Sequence, residues 1–206
     1  MNNDYNKIPT GEQLDACVLA LRKNGIDVFV EKNATDAFNR VCERIPENSK
    51  VMVGGSQTIR QIGFIKKLES VNAHWIDLHA PIYKENDATM RLELRRNSLR
   101  ADYFLGSVNA ITIQGQLMLA DRSGTRVSAY GFAANNIILV SSINKIVDSL
   151  EDGFKRIREH VLPLEDERMK KIGESGSTIG KWLIIEKEFF PHRITLILVV
   201  EDRLGF

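Results

Sequence analysis

The chain of 206 residues is 43% hydrophobic and 27% charged, the proportions of an ordinary soluble globular protein with enough length for one sizeable α/β core. Lys and Arg number 28 against 27 Asp and Glu, which excludes bulk electrostatic binding to nucleic acid or to an anionic membrane. Two cysteines are too few for a disulfide framework, and the longest apolar runs fall well short of the ~18 residues of a membrane span.

In chain order, a first helix is expected over 10–24, where Thr10 can cap it, Leu14, Val18 and Leu21 share a face, and Asn24-Gly25 ends it. IDVFVEK (26–32) reads as a strand, and 33–45 as a helix opened by Asn33 or Thr35 with Ala37, Val41 and Ile45 at helical spacing. KVMVGG (50–55) is a buried strand running directly into a helix over 56–70, and HWIDL (74–78) is a third strand. This βαβαβ rhythm predicts a parallel, doubly wound sheet with helices on both faces. A long helix is expected over 86–101. Five strand candidates follow, at 103–108, 110–113, 116–121, 126–131 and 136–141, with turns at Gln114-Gly115 and Ser123-Gly124. INKIVDSLEDGFKRIREHV (143–161) reads as one amphipathic helix with Ile146, Leu150, Phe154, Ile157 and Val161 on its apolar face, closed by Pro163. LEDERMKKI supplies a further helical segment, and HRITLILVVEDRLGF the final strand. No repeat or linker interrupts this order, so one domain over 1–206 is expected. The opening MNNDYNKIPTGEQ has no apolar signal region, so the expected location is the cytoplasm.

GESGSTIGKW (173–182) approaches a phosphate-binding loop but fails it. Ser175 stands where the first glycine of G-x-x-x-x-G-K-[ST] belongs, and Trp182 where the hydroxyl belongs. VMVGGSQTIRQIG is a better candidate. Gly54 and Gly55 permit close backbone approach at a strand end, the following helix start favours an anion, and Ser56 or Thr58 can add a hydroxyl. A tight βα turn with Ser56 as a plain helix cap fits the same residues. In SVNAITIQGQLMLADRSGTRVSAYG, polar side chains cluster between apolar runs, as at a pocket rim or in any hairpin turns. Arg126 suits a bidentate clamp on carboxylate or phosphate, and equally a surface ion pair.

The four histidines form no metal-ligand pattern. Asp77 and His79 share a strand face with nothing to complete a site, and no metal is expected. Cys17 and Cys42 read as buried small hydrophobes. Arg91, Arg95, Arg96 and Arg100, diluted by acids, read as a solvated helix face.

VMVGGSQTIRQIG, the segment from Ala101 through KRI at 155–157, and RITLILVVEDRLGF resemble the lactate-utilisation (LUD) domain proteins in order and spacing. The resemblance implies a three-layer α/β/α Rossmann-like fold similar to the NagB/RpiA/CoA-transferase superfamily. It implies a small anionic ligand of carboxylate, sugar phosphate or acyl-CoA type in lactate or related carboxylate metabolism. The ligand would lie between Gly54, Gly55, Ser56, Gln57 and Thr58 on one side and Asn109, Thr112, Gln114, Gly115, Asp121, Gly124, Thr125 and Arg126 on the other. Gln114 stands where family patterns often carry an acid, which argues against carboxylate catalysis at that position. Relatives also carry a cysteine-rich stretch before the final strand, where this chain has GESGS, so no thiolate-ligated site is expected there. No cofactor is identified, and the resemblance leaves open whether substrate turns over. The alternative implied is a non-catalytic subunit, a homodimer or a partner of iron–sulfur oxidoreductase subunits, docking through an apolar patch near Trp182, Phe189 and Phe190.

Overall fold

The computed structural model describes Tyr5 and residues 7–206. Helix α1 (Gly11–Lys23) begins at a capping box, in which Thr10 accepts from the Gln13 N–H and the Gln13 side chain accepts from the Thr10 N–H. Strand β1 (Asp27–Glu31) leads to α2 (Ala34–Arg44), capped by Asn33, and then to β2 (Lys50–Val53). The helix expected over 56–70 is two pieces, α3 (Gln57–Gln61) and α4 (Phe64–Leu68), because Gly63 takes the left-handed conformation between them. Strand β3 (Ile76–Asp77) is only an edge pairing, followed by α5 (Ala80–Lys84) and α6 (Ala88–Asn97). Then come β4 (Tyr103–Gly106), β5 (Ala110–Thr112), β6 (Leu117–Asp121), α7 (Thr125–Ser128) and β7 (Asn136–Ser142). Strand β8 (Ile146–Val147), α8 (Leu150–Arg156), α9 (Leu162–Lys171), β9 (Lys181–Ile185) and β10 (Ile194–Val199) complete the order.

Among the described residues, six strands form an all-parallel sheet in the order β1-β10-β7-β4-β2-β3, and four form a second sheet, β8-β5-β6-β9. Strand β1 therefore does not neighbour β2; the C-terminal β10 inserts beside it. The central strands alternate their side chains between two cores. Met52, Phe104, Ile137, Leu139, Leu196 and Leu198 face α1 and the second sheet. Val51, Val53, Leu105, Ile138, Val140, Ile197 and Val199 face α2, α3 and α4. The result is a three-layer α/β/α Rossmann-like arrangement.

Three expectations are corrected. Residues 126–131 are helical, not a strand: Gly124 is left-handed, the Asp121 carboxylate accepts the Arg126 N–H at 2.9 Å, and α7 runs on into a π-turn over Ala129–Ala133. Residues 143–161 are not one helix. A 3₁₀ turn and β8 come first, because Ile146 and Val147 pair with β5, and Ser149 then caps α8. Pro163 does not close the helix: a π-turn over Ile157–Val161 joins α8 to α9, and Pro163 follows that turn at the beginning of α9. Strand β9, unread in the sequence, pairs with β6 along its whole length.

Gly106 in β4 admits the Tyr130 ring: a Cβ there would stand 1.8 Å from the phenolic oxygen. Tyr130 is fully buried and cannot swing clear. Gly106→Ala is expected to cost about 1–3 kcal/mol by urea denaturation. Adding Tyr130→Phe, which removes the clashing oxygen, should recover part of that loss.

Candidate functional site

Parallel strands deliver their carboxyl ends to one edge of the sheet, and here those ends line a cleft of about 720 Å³. Strand β2 exits into Gly54, Gly55, Ser56, Gln57 and Thr58; β4 into Ser107, Val108 and Asn109; β7 into a 3₁₀ turn ending at Lys145; and β10 into Gly205 and Phe206. The second sheet supplies the opposite wall through Asp121, Arg122, Ser123, Thr125 and Arg126, which follow β6. The volume suits a small-molecule ligand.

Lys145 lies at the floor, 2% exposed. Its Nζ is 3.3 Å from Ser107 Oγ, 3.4 Å from Thr58 Oγ1 and 3.5 Å from the Val108 carbonyl. Among the described residues it makes no ion pair with a carboxylate. Burial, with the positive charges of Arg156 and Arg126 added, pushes the amine down to about 7. Arg156, also buried, donates through Nη1 to the Asn109 carbonyl at 2.6 Å and to the Phe206 carbonyl at 3.4 Å. Its Nε and Nη2 are buried without a partner, and burial lowers its guanidinium to about 10. Arg126 lays its stem on Gly54, where a Cβ would be 2.9 Å from Cγ, and donates through Nη2 to the Ala120 carbonyl and to Asp121. The lining cations Arg60, Arg95, Arg122, Arg126, Lys145 and Arg168 outnumber the lining acids Asp121, Glu165 and Glu174 by six to three. The cleft is thus an electropositive site with low-dielectric walls.

Gly54, Gly55, Ser56, Gln57, Thr58, Asn109, Asp121, Thr125 and Arg126 come together on its lining. Thr112, Gln114 and Gly115 do not. Strand β5 runs antiparallel to β6, so its start at Asn109 meets the Asp121 end of β6 while the hairpin turn points away. That turn packs on α1: Asn24 donates to the Gln114 and Gly115 carbonyls, and Thr112 is buried against Gln116. Gly124 shapes the loop beneath the Lys181 stem without lining the cleft. Sequence reasoning passed over Lys145, Arg156 and Ser107. The two cations sit in a stretch whose apolar spacing reads as one amphipathic helix, where Lys and Arg look like solvent-facing residues.

GESGSTIGKW forms part of the wall rather than a phosphate turn. Glu174, Ser177, Thr178 and Ile179 line the cleft, and Arg122 anchors the segment through the Gly176 carbonyl and Ser175 Oγ. His79 is buried and donates from Nδ1 to the Val53 carbonyl at 2.9 Å. Cys17 donates to the Thr112 carbonyl, and burial pushes its thiol up to about 12. Both cysteines are unpaired, and no metal-ligand cluster of His, Cys, Asp and Glu occurs among the described residues. Trp182 is half-buried against Phe154 and under Arg158, whereas Phe189 and Phe190 are exposed. No described helix is long and apolar enough to cross a membrane.

A family model described as the LUD domain matches residues 14–199. The chain belongs to the LUD domain family. Membership places it among the proteins associated with lactate utilisation. The fold of this LUD domain is also similar to the crystal structure of a DUF162 family protein from Deinococcus radiodurans, with 15% identity, a TM-score of 0.55, and coverage of 94% of this chain and 99% of that one. No curated protein matches it.

The lowered Lys145 amine has a measurable consequence. Between about 7 and its ordinary 10.5, the unfolded chain holds a proton that the folded chain does not, so stability rises with pH through that window. The slope attributable to Lys145 is at most about 1.4 kcal/mol per pH unit. Lys145→Met should flatten it, read as the difference between wild-type and variant urea midpoints at steps across the window.

Proposed function

We propose that this LUD domain binds a small anionic metabolite of lactate or related carboxylate metabolism at the carboxyl ends of its parallel strands. The observation that supports this reading is the excess of positive charge on the cleft lining, where, among the described residues, Arg60, Arg95 and Arg122 make no ion pair with a carboxylate. The arginines stay charged at ordinary pH, and an incoming anion lowers the repulsion among them. Carboxylates, sugar phosphates and acyl-CoA esters all bring the required charge. We read the chain as one LUD domain, since both sheets contribute to the same cleft, with a fold of the NagB/RpiA/CoA-transferase kind.

A second reading is favoured by one observation. Phe132, Phe189 and Phe190 are exposed, with Phe132 and Phe190 in ring contact at 6.4 Å, as on a surface that docks an iron–sulfur oxidoreductase subunit.

Thermal shift and calorimetry with lactate, a sugar phosphate and a CoA ester test the first reading. At a ligand concentration of ~100 Kd, binding should stabilise the fold by about 2.7 kcal/mol. Arg126→Ala should weaken it roughly tenfold to a hundredfold, the loss of a charge-assisted hydrogen bond. Indifference of the wild-type protein to all three classes would overturn the reading.

A further inference from the structure

We propose that Lys145 is the reacting amine of this cleft and captures the carbonyl of a 2-oxo acid as an imine, the acid's carboxylate lying on the Arg126 side. The proposal rests on the anion-binding reading and sharpens it to a ligand class.

The geometry sets Lys145 apart from a structural lysine. Its three hydrogen-bond partners are two hydroxyls and one carbonyl, all at 3.3–3.5 Å, and none is acidic. The charged groups that act on it most are cations, Arg156 and Arg126, and Asp121 is engaged by Arg126. Lys145 nevertheless belongs to the cleft lining, because the turn at the end of β7 brings it to the floor. Gly205 packs closely over this corner of the floor: its φ is +68°, and a Cβ there would stand 2.5 Å from Thr58 Oγ1 and 3.1 Å from Nζ, so a side chain would crowd the amine. Desolvation beside other cations lowers the amine to about 7, so a large share of it is neutral and nucleophilic near neutral pH, as a carbonyl-capturing lysine needs. Ser107 and Thr58 are weaker candidates for nucleophile, since neither is bonded to a histidine or a carboxylate.

The step balances without any further reactant. The Nζ lone pair forms a bond to the carbonyl carbon, and the carbonyl oxygen takes a proton to give a carbinolamine. That proton comes from nitrogen; a second proton, from solvent, then reaches the hydroxyl, the C–O bond breaks, water leaves, and a protonated imine that keeps one N–H remains. Ser107 and Thr58 hydroxyls stand within reach of Nζ to relay those protons. The substrate supplies a carboxylate that the described residues do not offer Lys145, so the iminium gains a counter-ion.

Pyruvate and 2-oxoglutarate serve as probes, each mixed with the whole protein and treated with borohydride, followed by intact mass and peptide mapping. A saturable reduced adduct at Lys145 is expected with at least one of them, and none with lactate, which has no carbonyl. Lys145→Arg keeps a long basic side chain but has no amine to form an imine, and should lose the adduct. Should that variant fail to fold, mapping on the wild-type protein decides alone. No adduct, or labelling spread over surface lysines without preference for Lys145, overturns the proposal. If the probes stabilise the protein thermally but leave no adduct, imine formation fails while anion binding stands; if no anion stabilises it, the underlying reading fails as well.

Discussion

The site depends first on the parallel pairing of β2, β4, β7 and β10. Ile194 to Val199 lie against Ile137 to Ser142, and Tyr103 to Gly106 against Asn136 to Leu139, with both faces of these strands covered by apolar side chains. In-register parallel strands end at one level, so whatever follows each strand must gather at one edge. Gly54, Ser107, Lys145 and Gly205 meet there for that reason. Ser142 tightens the arrangement by donating to the Leu204 carbonyl and accepting the Leu204 N–H at 2.6 Å, which fastens the returning chain over the cleft floor.

The same molecule contains a buried cation of a different kind, and the contrast clarifies Lys145. Arg193 is also buried, yet its guanidinium donates to the carbonyls of Ala129, Tyr130 and Ala134 and to Glu188 at 2.7 Å. That is a cation used as a fastener: every direction is answered and its charge is matched. Lys145 and Arg156 share the burial without the compensation. The fold therefore spends stability at the cleft floor that it does not spend at the Arg193 end, a pattern that accompanies functional sites.

Much of the main sheet was legible because its strands are short apolar runs between glycine and polar punctuation, as in KVMVGG and NIILVSS. The caps Thr10, Asn33 and Ser56 marked helix starts for local reasons that need no tertiary knowledge. The failures share a cause. RVSAYG alternates like a strand, but its fate is set by the distant Asp121 and by the space that Gly106 leaves for Tyr130. INKIV has helical spacing, but β5 claims Ile146 and Val147 for a sheet. Misreading that stretch hid Lys145, since a lysine on a helix face signals solvent and a lysine after a buried strand signals a cleft. The glycine loop at Gly54 was visible because its signal is local; the hairpin at Gln114-Gly115 was as visible, yet its direction depends on a pairing that sequence spacing does not encode.

The two sheets divide the cleft between them, and the division constrains the ligand. The main sheet supplies a dry floor with one amine and two hydroxyls, while the second sheet and α9 supply a wall bearing Arg122, Arg126 and Arg168. Arg122 and Arg168 are tied to their own wall, Arg122 to the segment 175–176 and Arg168 to Glu165 at 2.7 Å, so their positions are set before any ligand arrives. Preorganised donors of this sort orient a bound anion with little further entropic cost. A cleft of about 720 Å³ exceeds what a three-carbon acid would fill. On the imine proposal, a ligand that uses the whole site has its carbonyl at Lys145 and extends a polar remainder along the arginine wall.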